Sequence, residues 1–225
     1  MISEILYSFG RIVIQSYARL MIKMDVHWGA ALPAEPVLFA ANHPSTTDPI
    51  FIHLISKKPM SMMITSKAFS IPFLGPYMRK MGHICVNTGQ GEKVLEQARQ
   101  TLKKGRSVTI FPEGLISPAG GGFNPPRSGV GRLALSSGVP VIPIGISLND
   151  KGCQRFPATF EGEPDIITWY LRGPYAITIG KPMQFLGDAN DKDFVRKVSE
   201  NIMQSIRALA HDSQRRLCPI QLEND

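Results

Sequence analysis

Short apolar runs alternate with longer segments of helical periodicity along most of this chain of 225 residues. The runs are typical of buried strands, and the segments between them are typical of helices that pack on a sheet. This alternation predicts an α/β fold, a single layered domain with a mostly parallel central sheet flanked by helices. The strand-like runs cover residues 37–41, 60–65, 84–86, 107–111, 141–147 and 175–179, and the helical segments cover residues 48–54, 72–80, 92–103, 130–137 and 193–210.

The N-terminal segment, residues 1–24, is predicted to be an amphipathic helix that precedes a domain over residues 25–225. Two interpretations stay open: the helix packs on the domain's own core, or it lies in a membrane interface. No apolar run reaches the ~18 residues that a spanning helix needs. We therefore expect a peripheral protein at the cytoplasmic face of the cell membrane. The apolar stripe comprises Ile2, Ile5, Leu6, Phe9, Ile12, Val13, Tyr17, Leu20 and Met24.

Composition describes a globular, basic protein. Apolar residues make up 43% and charged residues 19% of the chain, and the net charge is +7. A positive charge favours acidic partners, such as an anionic membrane surface or a phosphorylated molecule. Nucleic acid is not expected, because no zinc finger, Lys/Arg cluster or aromatic-and-basic motif is present. Cys85, Cys153 and Cys218 are far apart, so we expect no metal site and no disulfide framework.

A histidine and an aspartate follow the first strand-like run closely. His43 and Asp48 lie five positions apart, and Glu113 directly follows the run over residues 107–111. Histidine transfers protons near neutral pH, and a neighbouring carboxylate orients its ring and stabilises the imidazolium. Ligands of open α/β sheets bind outside the carboxyl ends of the strands. If these two strands are parallel neighbours, His43, Asp48 and Glu113 meet at one edge of the sheet.

Motifs over residues 37–183 resemble those of the glycerolipid acyltransferases, the family typified by lysophosphatidic acid acyltransferase. The hallmark motifs appear here as Asn42-His43-x-Ser45-x-x-Asp48 and Phe111-Pro112-Glu113-Gly114. Between and after them, the family's further segments are matched by Ser66-Lys67, Ile71-Pro72-Phe73-Leu74-Gly75, Met81-Gly82, Arg127-Ser128-Gly129, Val139-Pro140-Val141-Ile142-Pro143-Ile144 and Ile179-Gly180-Lys181-Pro182.

The resemblance implies that a fatty acyl group moves from acyl-CoA or acyl carrier protein to a lipid hydroxyl, without a further cofactor. His43 would be the general base and Asp48 its orienting carboxylate. Glu113 would help to hold the acceptor, and Gly114 would allow close approach of the backbone. Arg127 stands where the family usually has a basic residue and could meet a phosphate. The implied substrate-binding residues are Asn42, Ser45, Glu113, Gly114 and Arg127.

The resemblance implies 1-acylglycerol 3-phosphate, a lysophospholipid of phospholipid biosynthesis, as the acceptor. One segment departs from the family: Asn87 and Thr88 replace an Asp-Arg pair whose arginine is associated with the acceptor's phosphate. Either Arg127, Arg79 or Lys67 compensates, or the acceptor is a related lipid alcohol without a phosphomonoester. Two other functions stay open: a thioester or ester hydrolase that uses the same His–Asp pair, and a non-catalytic lipid-binding module.

Overall fold

A seven-stranded sheet forms the centre of the computed structural model, which describes residues 2–160 and 163–217. The strands follow the order β1-β9-β6-β2-β5-β3-β4, and those from β6 to β4 are parallel. β9 is antiparallel to β6 and parallel to β1. The strands of the described residues are β1 (Met24–Trp28), β2 (Leu38–Ala41), β3 (Met60–Thr65), β4 (Ile84–Val86), β5 (Ser107–Ile110), β6 (Val141–Leu148), β7 (Cys153–Phe160), β8 (Glu163–Tyr170) and β9 (Tyr175–Ile179).

Helices cover both faces of this sheet. One face packs on the N-terminal helix and α2, and the other packs on α5, α6 and α7. Because the sheet is covered on both sides, the central strands are mostly apolar and buried, and all four residues of β2 are buried. The predicted mostly parallel α/β fold is confirmed. The helices are α1 (Ile2–Tyr17), α2 (Asp48–Ile52), α3 (Ser66–Phe69), α4 (Leu74–Lys80), α5 (Gly91–Lys103), α6 (Gly129–Ser137) and α7 (Lys192–Leu217).

The N-terminal helix is shorter than the sequence predicts. α1 passes into a π-helical turn, Ala18–Ile22, and Met24 already begins β1. Lys23 lies between them in a left-handed conformation, which ends the helix. Ala18 and Ile22 are buried in the same apolar cluster as β2 and β6. The side chains of residues 2–9 lie outside the described part of the chain, as does Cys218. None of the described helices is long and apolar enough to cross a membrane.

A β-hairpin that the sequence did not predict follows β6. β7 and β8 pair antiparallel, apart from the main sheet. Prolines interrupt the apolar alternation of both strands, Pro157 in β7 and Pro164 in β8, which hides the period-two pattern that marks a strand. The hairpin packs on the loop after β2, so its position bears directly on the candidate site.

Candidate active site

The loop between β2 and α2 brings His43 and Asp48 together. β2 ends at Ala41, and Asp48 begins α2 with Pro49 behind it, where proline is favoured. The Nδ1 atom of His43 lies 2.9 Å from Oδ2 of Asp48. The His43 side chain is 17% exposed, whereas that of Asp48 is fully buried. The pair therefore presents an imidazole to solvent and keeps its carboxylate inside the protein.

Asp48 is held by three further donors. The Ser45 amide donates to Oδ2 at 2.8 Å, while the Ser45 hydroxyl and the Tyr175 hydroxyl each donate to Oδ1 at 2.8 Å. These bonds compensate the burial of an ionised carboxylate. Because an ionised carboxylate can only accept, the hydrogen lies on Nδ1 of His43 and the lone pair lies on Nε2. Burial, and then the Asp48 carboxylate, raises the pKa of Tyr175 well above 10, so this phenol stays a donor.

Glu113 lies at the end of the neighbouring strand, as the sequence predicts, since β2 and β5 are parallel neighbours. It is 1% exposed, and both carboxylate oxygens have donors. Oε1 accepts from the Ser117 hydroxyl at 2.6 Å and from the His43 amide at 3.2 Å. Oε2 accepts from the Asn124 amide at 2.7 Å and from its side-chain nitrogen at 3.2 Å. Glu113 thus joins the loop after β5 to the backbone of His43.

The segment after β5 also fixes the plane of the histidine ring. The ring of Phe111 stacks on that of His43, with centroids 4.0 Å apart and planes 19° apart. The Ser117 amide donates to the His43 carbonyl at 2.8 Å. Together with the bond to Asp48, these contacts hold the imidazole in one orientation, as a general base requires.

Gly114 and Arg127 form a close contact beside this edge. Gly114 has φ +65°, and a Cβ at this position would lie 2.5 Å from Nε of Arg127. Any side chain would therefore displace the arginine, and the left-handed backbone favours glycine as well. The Arg127 amide donates to the Pro112 carbonyl at 2.8 Å, so the guanidinium lies next to the end of β5. The group that approaches the Gly114 backbone is thus the Arg127 side chain.

Asn42 and Ser45 have supporting positions. The side chain of Asn42 is buried and binds the backbone of Ile146 twice: Nδ2 donates to the carbonyl at 2.9 Å, and Oδ1 accepts from the amide at 2.7 Å. This amide pair joins the end of β2 to β6. Ser45 is fully buried and uses its amide and its hydroxyl on Asp48. Substrate binding by these two residues stays a prediction, and their contacts give them a role in shaping the loop.

The hairpin of β7 and β8 contacts the loop between β2 and α2 from the outside. The Thr46 amide donates to the Thr168 carbonyl at 2.7 Å, and the Thr168 amide donates back to the Thr46 hydroxyl at 3.1 Å. The Thr47 hydroxyl lies 3.3 Å from both the amide and the carbonyl oxygen of Tyr170. It also lies 2.9 Å from the Ser45 hydroxyl, which in turn donates to Asp48. Contacts from β8 thus reach the carboxylate through two hydroxyl groups.

Neither a reactive cysteine nor a cluster of metal-ligating side chains is found among the described residues. Burial raises the pKa of the Cys153 thiol to about 11 and raises that of Cys85 as well, so both stay protonated near neutral pH. Across residues 2–160 and 163–217, no group of three or more His, Cys, Asp or Glu side chains could hold a metal ion.

Four residues of this site were missed by the sequence analysis: Thr47, Ser117, Asn124 and Tyr175. The hydroxyl of Tyr175 offered one signal, since a tyrosine at the start of a buried strand needs a partner for its hydroxyl. The other three lie in loops, and their contacts depend on how distant segments meet. Their short polar side chains are common in turns, so type and spacing alone did not distinguish them.

Comparisons with known proteins show which family this chain resembles. A family model described as "Acyltransferase" matches residues 23–147, more than half of the chain. A lyso-ornithine lipid O-acyltransferase of Pseudomonas aeruginosa is 29% identical over 152 residues, which is 65% of this chain and 57% of that protein. A 1-acyl-sn-glycerol-3-phosphate acyltransferase of the same organism is 29% identical over 170 residues, or 67% of this chain and 65% of the relative. The chain thus spans about three fifths of the length of these curated relatives.

A solved structure shares the fold. The crystal structure of the 1-acyl-sn-glycerophosphate acyltransferase PlsC from Thermotoga maritima superimposes with a TM-score of 0.63 at 20% sequence identity. The match covers 92% of this chain and 79% of the other. At this identity the likeness concerns the fold alone.

Proposed function

The chain belongs to the acyltransferase family, and we propose that it transfers a fatty acyl group from an acyl thioester to a lipid hydroxyl. The donor would be acyl-CoA or acyl carrier protein. The observation that carries this proposal is the 2.9 Å bond between His43 Nδ1 and Asp48 Oδ2 at the carboxyl end of β2. It leaves Nε2, with its lone pair, as the nitrogen that can accept a proton from the acceptor.

The reaction would proceed in two proton transfers. Nε2 of His43 takes the hydrogen of the acceptor hydroxyl as its oxygen attacks the thioester carbonyl carbon. Asp48 stabilises the imidazolium that forms. When the tetrahedral intermediate collapses, the carbon–sulfur bond breaks and the imidazolium returns the proton to the leaving thiolate. The products are an ester and a free thiol, and the histidine is regenerated.

Direct attack by the acceptor is favoured over an acyl-enzyme. Ser45 is buried, and its hydroxyl donates to Asp48, so it does not face His43 as a nucleophile would. The thiol of Cys153 has a raised pKa. A hydrolase would use the same His–Asp pair to activate water. Incubation with a radiolabelled acyl thioester, with and without lipid acceptors, separates the two, since a hydrolase releases free fatty acid at the same rate in both.

The acceptor is proposed to be 1-acylglycerol 3-phosphate or a related lipid alcohol, and Arg127 is the best placed of three candidate cations for an anionic headgroup. Lys67 forms a 2.7 Å ion pair with Asp165, and Arg79 donates to the Phe69 carbonyl. Thr88 follows β4, which lies three strands from β2, or about 14 Å at ~4.8 Å per strand. Arg127 lies beside β5, the strand next to β2.

We expect Arg127→Ala to reduce kcat/KM for 1-acylglycerol 3-phosphate by roughly tenfold or more, because a charge-assisted hydrogen bond contributes ~1.5–3 kcal/mol. Use of an uncharged lipid alcohol should stay the same. Arg196→Ala, at an exposed position on α7, is the control. If the parent protein strongly prefers the phosphorylated lipid and Arg127→Ala keeps that preference, the assignment of Arg127 is wrong.

Peripheral binding to the cytoplasmic face of the membrane is proposed for α1. Ala18 and Ile22 of the π-helical turn that continues α1 pack on the core, whereas Ile12 and Val13 of α1 are 61% and 52% exposed. Arg11 donates to the carbonyls of His53, Leu54 and Ser56, which fixes the helix on the domain. These positions fit both interpretations drawn from the sequence: one side of the N-terminal helical segment packs on the core, and another side is free to lie in a membrane interface.

We expect the double variant Ile12→Asp/Val13→Asp to lose most binding to anionic vesicles, because burial of each side chain contributes ~1.5–3 kcal/mol. Removal of residues 1–24 would be a poorer test, since it takes Ala18 and Ile22 out of the core. Co-sedimentation with vesicles at low and high salt measures the effect, and Leu186→Asp is the control at an exposed position on the other face of the sheet. Undiminished binding by the double variant would show that α1 is a core element alone.

A further inference from the structure

A second apolar surface lies beside α1, at the turn between α3 and α4. We define the apolar tip as Ile71, Phe73, Leu74 and Tyr77, all of which are exposed. Phe73 is 92% exposed, the highest value among the exposed large apolar side chains of the described residues. A large aromatic ring with this exposure is unfavourable in water and favourable in a bilayer interface, where aromatic residues accumulate.

The tip is held rigidly rather than left as a loose loop. α4 approaches α3 so closely that a Cβ on Gly75 would lie 2.0 Å from the Phe69 carbonyl oxygen. The amides of Leu74, Gly75 and Tyr77 donate to the carbonyls of Pro72, Ile71 and Phe73. Phe73 itself has φ +64°, a strained conformation for a bulky residue. The surrounding contacts thus hold Phe73 in an unfavourable backbone conformation with its ring pointing into solvent.

The charge around the tip suits an anionic bilayer. Arg79 and Lys80 supply positive charge in the segment over residues 66–80, whereas Lys67 is paired with Asp165 of β8. No Asp or Glu occurs from residue 49 to residue 91. Basic residues that flank apolar side chains strengthen binding to anionic lipid. A protein partner that buried this surface would need matching acidic groups, whereas an anionic lipid surface supplies negative charge at every position.

The tip also lies at the edge of the sheet that carries the candidate site. α3 begins directly where β3 ends, and β3 runs parallel to β5 and lies next to it. Tyr77 reaches α1, since a Cβ on Gly10 would lie 3.0 Å from its hydroxyl. Lys67 of α3 binds Asp165 of β8, and β8 contacts the loop between β2 and α2. One membrane surface could therefore contact α1 and the tip while facing the edge that holds His43.

We propose that the apolar tip inserts into the interface of an anionic membrane and, with α1, seats the catalytic edge on the bilayer that holds the lipid acceptor. This inference rests on the proposed function, because placing the site at the bilayer matters only if the acceptor is a lipid. The tip would orient the domain and add to the attachment that α1 supplies. Substrate could then reach His43 from the lipid phase without leaving it.

Phe73→Gly tests this proposal without the risk of unfolding, because glycine adopts positive φ without strain and the removed ring has few neighbours. Vesicles of phosphatidylcholine mixed with phosphatidylglycerol are the probe, without any substrate. We expect binding to weaken roughly tenfold or more, as loss of one phenylalanine from an apolar phase predicts. Thermal stability should be equal to or higher than that of the parent. Leu186→Gly, at a position 81% exposed on the other face, should bind as the parent does.

A second variant, Phe73→Trp, reports insertion directly. Its emission, after subtraction of the parent's, should shift to the blue with vesicles and be quenched by brominated lipids. Unchanged vesicle binding by Phe73→Gly, no quenching of Phe73→Trp, or a change in self-association in place of vesicle binding would each overturn the proposal. Activity separates it from the proposed function: Phe73→Gly should transfer acyl groups normally to a water-soluble short-chain acceptor and poorly to one embedded in vesicles. Absence of any transfer by the parent protein would contradict the proposed function. The vesicle-binding measurement, which uses no substrate, would still test the apolar tip.

Discussion

Replacing His43 with alanine is expected to reduce acyl transfer by about 10²–10⁴-fold, the usual effect of removing a general base. In the proposed mechanism the ring accepts the proton through Nε2, and the other described side chains bound to Asp48, Ser45 and Tyr175, carry hydroxyls that are not bases near neutral pH. His43 is partly exposed and makes one side-chain bond, to Asp48, so the fold should survive. Initial rates with a saturating acyl thioester and acceptor measure the loss, and circular dichroism checks the fold.

Asp48→Asn provides the matched comparison, because it keeps the shape of the side chain and removes the charge. An amide nitrogen in place of Oδ2 would face both the Ser45 amide and His43 Nδ1, which are donors, whereas in place of Oδ1 it would face the hydroxyls of Ser45 and Tyr175. The first arrangement would move the imidazole hydrogen to Nε2 and abolish the base. His27→Ala, at an exposed position on β1, is the control for loss of a histidine. Near-normal turnover by a folded His43→Ala protein would contradict the mechanism.

The sequence was sufficient to predict six of the seven strands of the central sheet, all except β1, and the meeting of two motifs. The runs that end near Ala41 and Phe111 are mostly apolar, as strands buried on both faces are, and helical segments separate them. Parallel neighbours then bring His43 and Glu113 to one edge, and the 3.2 Å bond between the His43 amide and Glu113 confirms it. The pattern of apolar residues was enough to predict these elements, because it reflects which residues are buried.

The supporting contacts could not be predicted, because they depend on how distant segments meet. Tyr175 lies 127 positions from Asp48 and Asn124 lies 11 positions from Glu113, and nothing in their spacing pairs them. The helix over residues 2–24 was predicted too long because Met24 fits both a helical stripe and a strand. Glu113 was expected to hold the acceptor, and that role stays a prediction. Its two oxygens already accept from Ser117, His43 and Asn124.

Two buried histidines away from the site are the source of the second large effect, a loss of stability in mild acid. The rings of His53 and His83 lie 5.2 Å apart between centroids. Burial is the main reason that the pKa of His53 falls to about 3 and that of His83 to about 4, and Arg106 lowers both further. Nδ1 of His83 accepts from the Met62 amide at 3.1 Å. Protonation would therefore destroy this acceptor as well as place a charge beside Arg106.

The sign follows from the protons bound in each state. Both pKa values are lowered from about 6.5 in the unfolded chain, so between about pH 6 and pH 4 the unfolded state binds more protons. Stability is complete above about pH 6.5 and falls as the pH falls, with a slope approaching ~2.7 kcal/mol per pH unit for two histidines. From pH 7 to about pH 5 the loss is about 4 kcal/mol, a large part of the ~5–15 kcal/mol that stabilises a typical domain.

Urea denaturation at pH 7 and at about pH 5 measures this loss as a decrease in the midpoint at constant m-value. His83→Gln should remove about half of the pH dependence, because a glutamine oxygen can still accept from the Met62 amide but cannot titrate. His27→Gln, which changes an exposed ring on β1, should keep the full dependence. An unchanged midpoint between the two pH values would mean that His53 and His83 already reach water or a proton donor in the folded state. An unaltered dependence in His83→Gln would place the titrating group elsewhere in the protein.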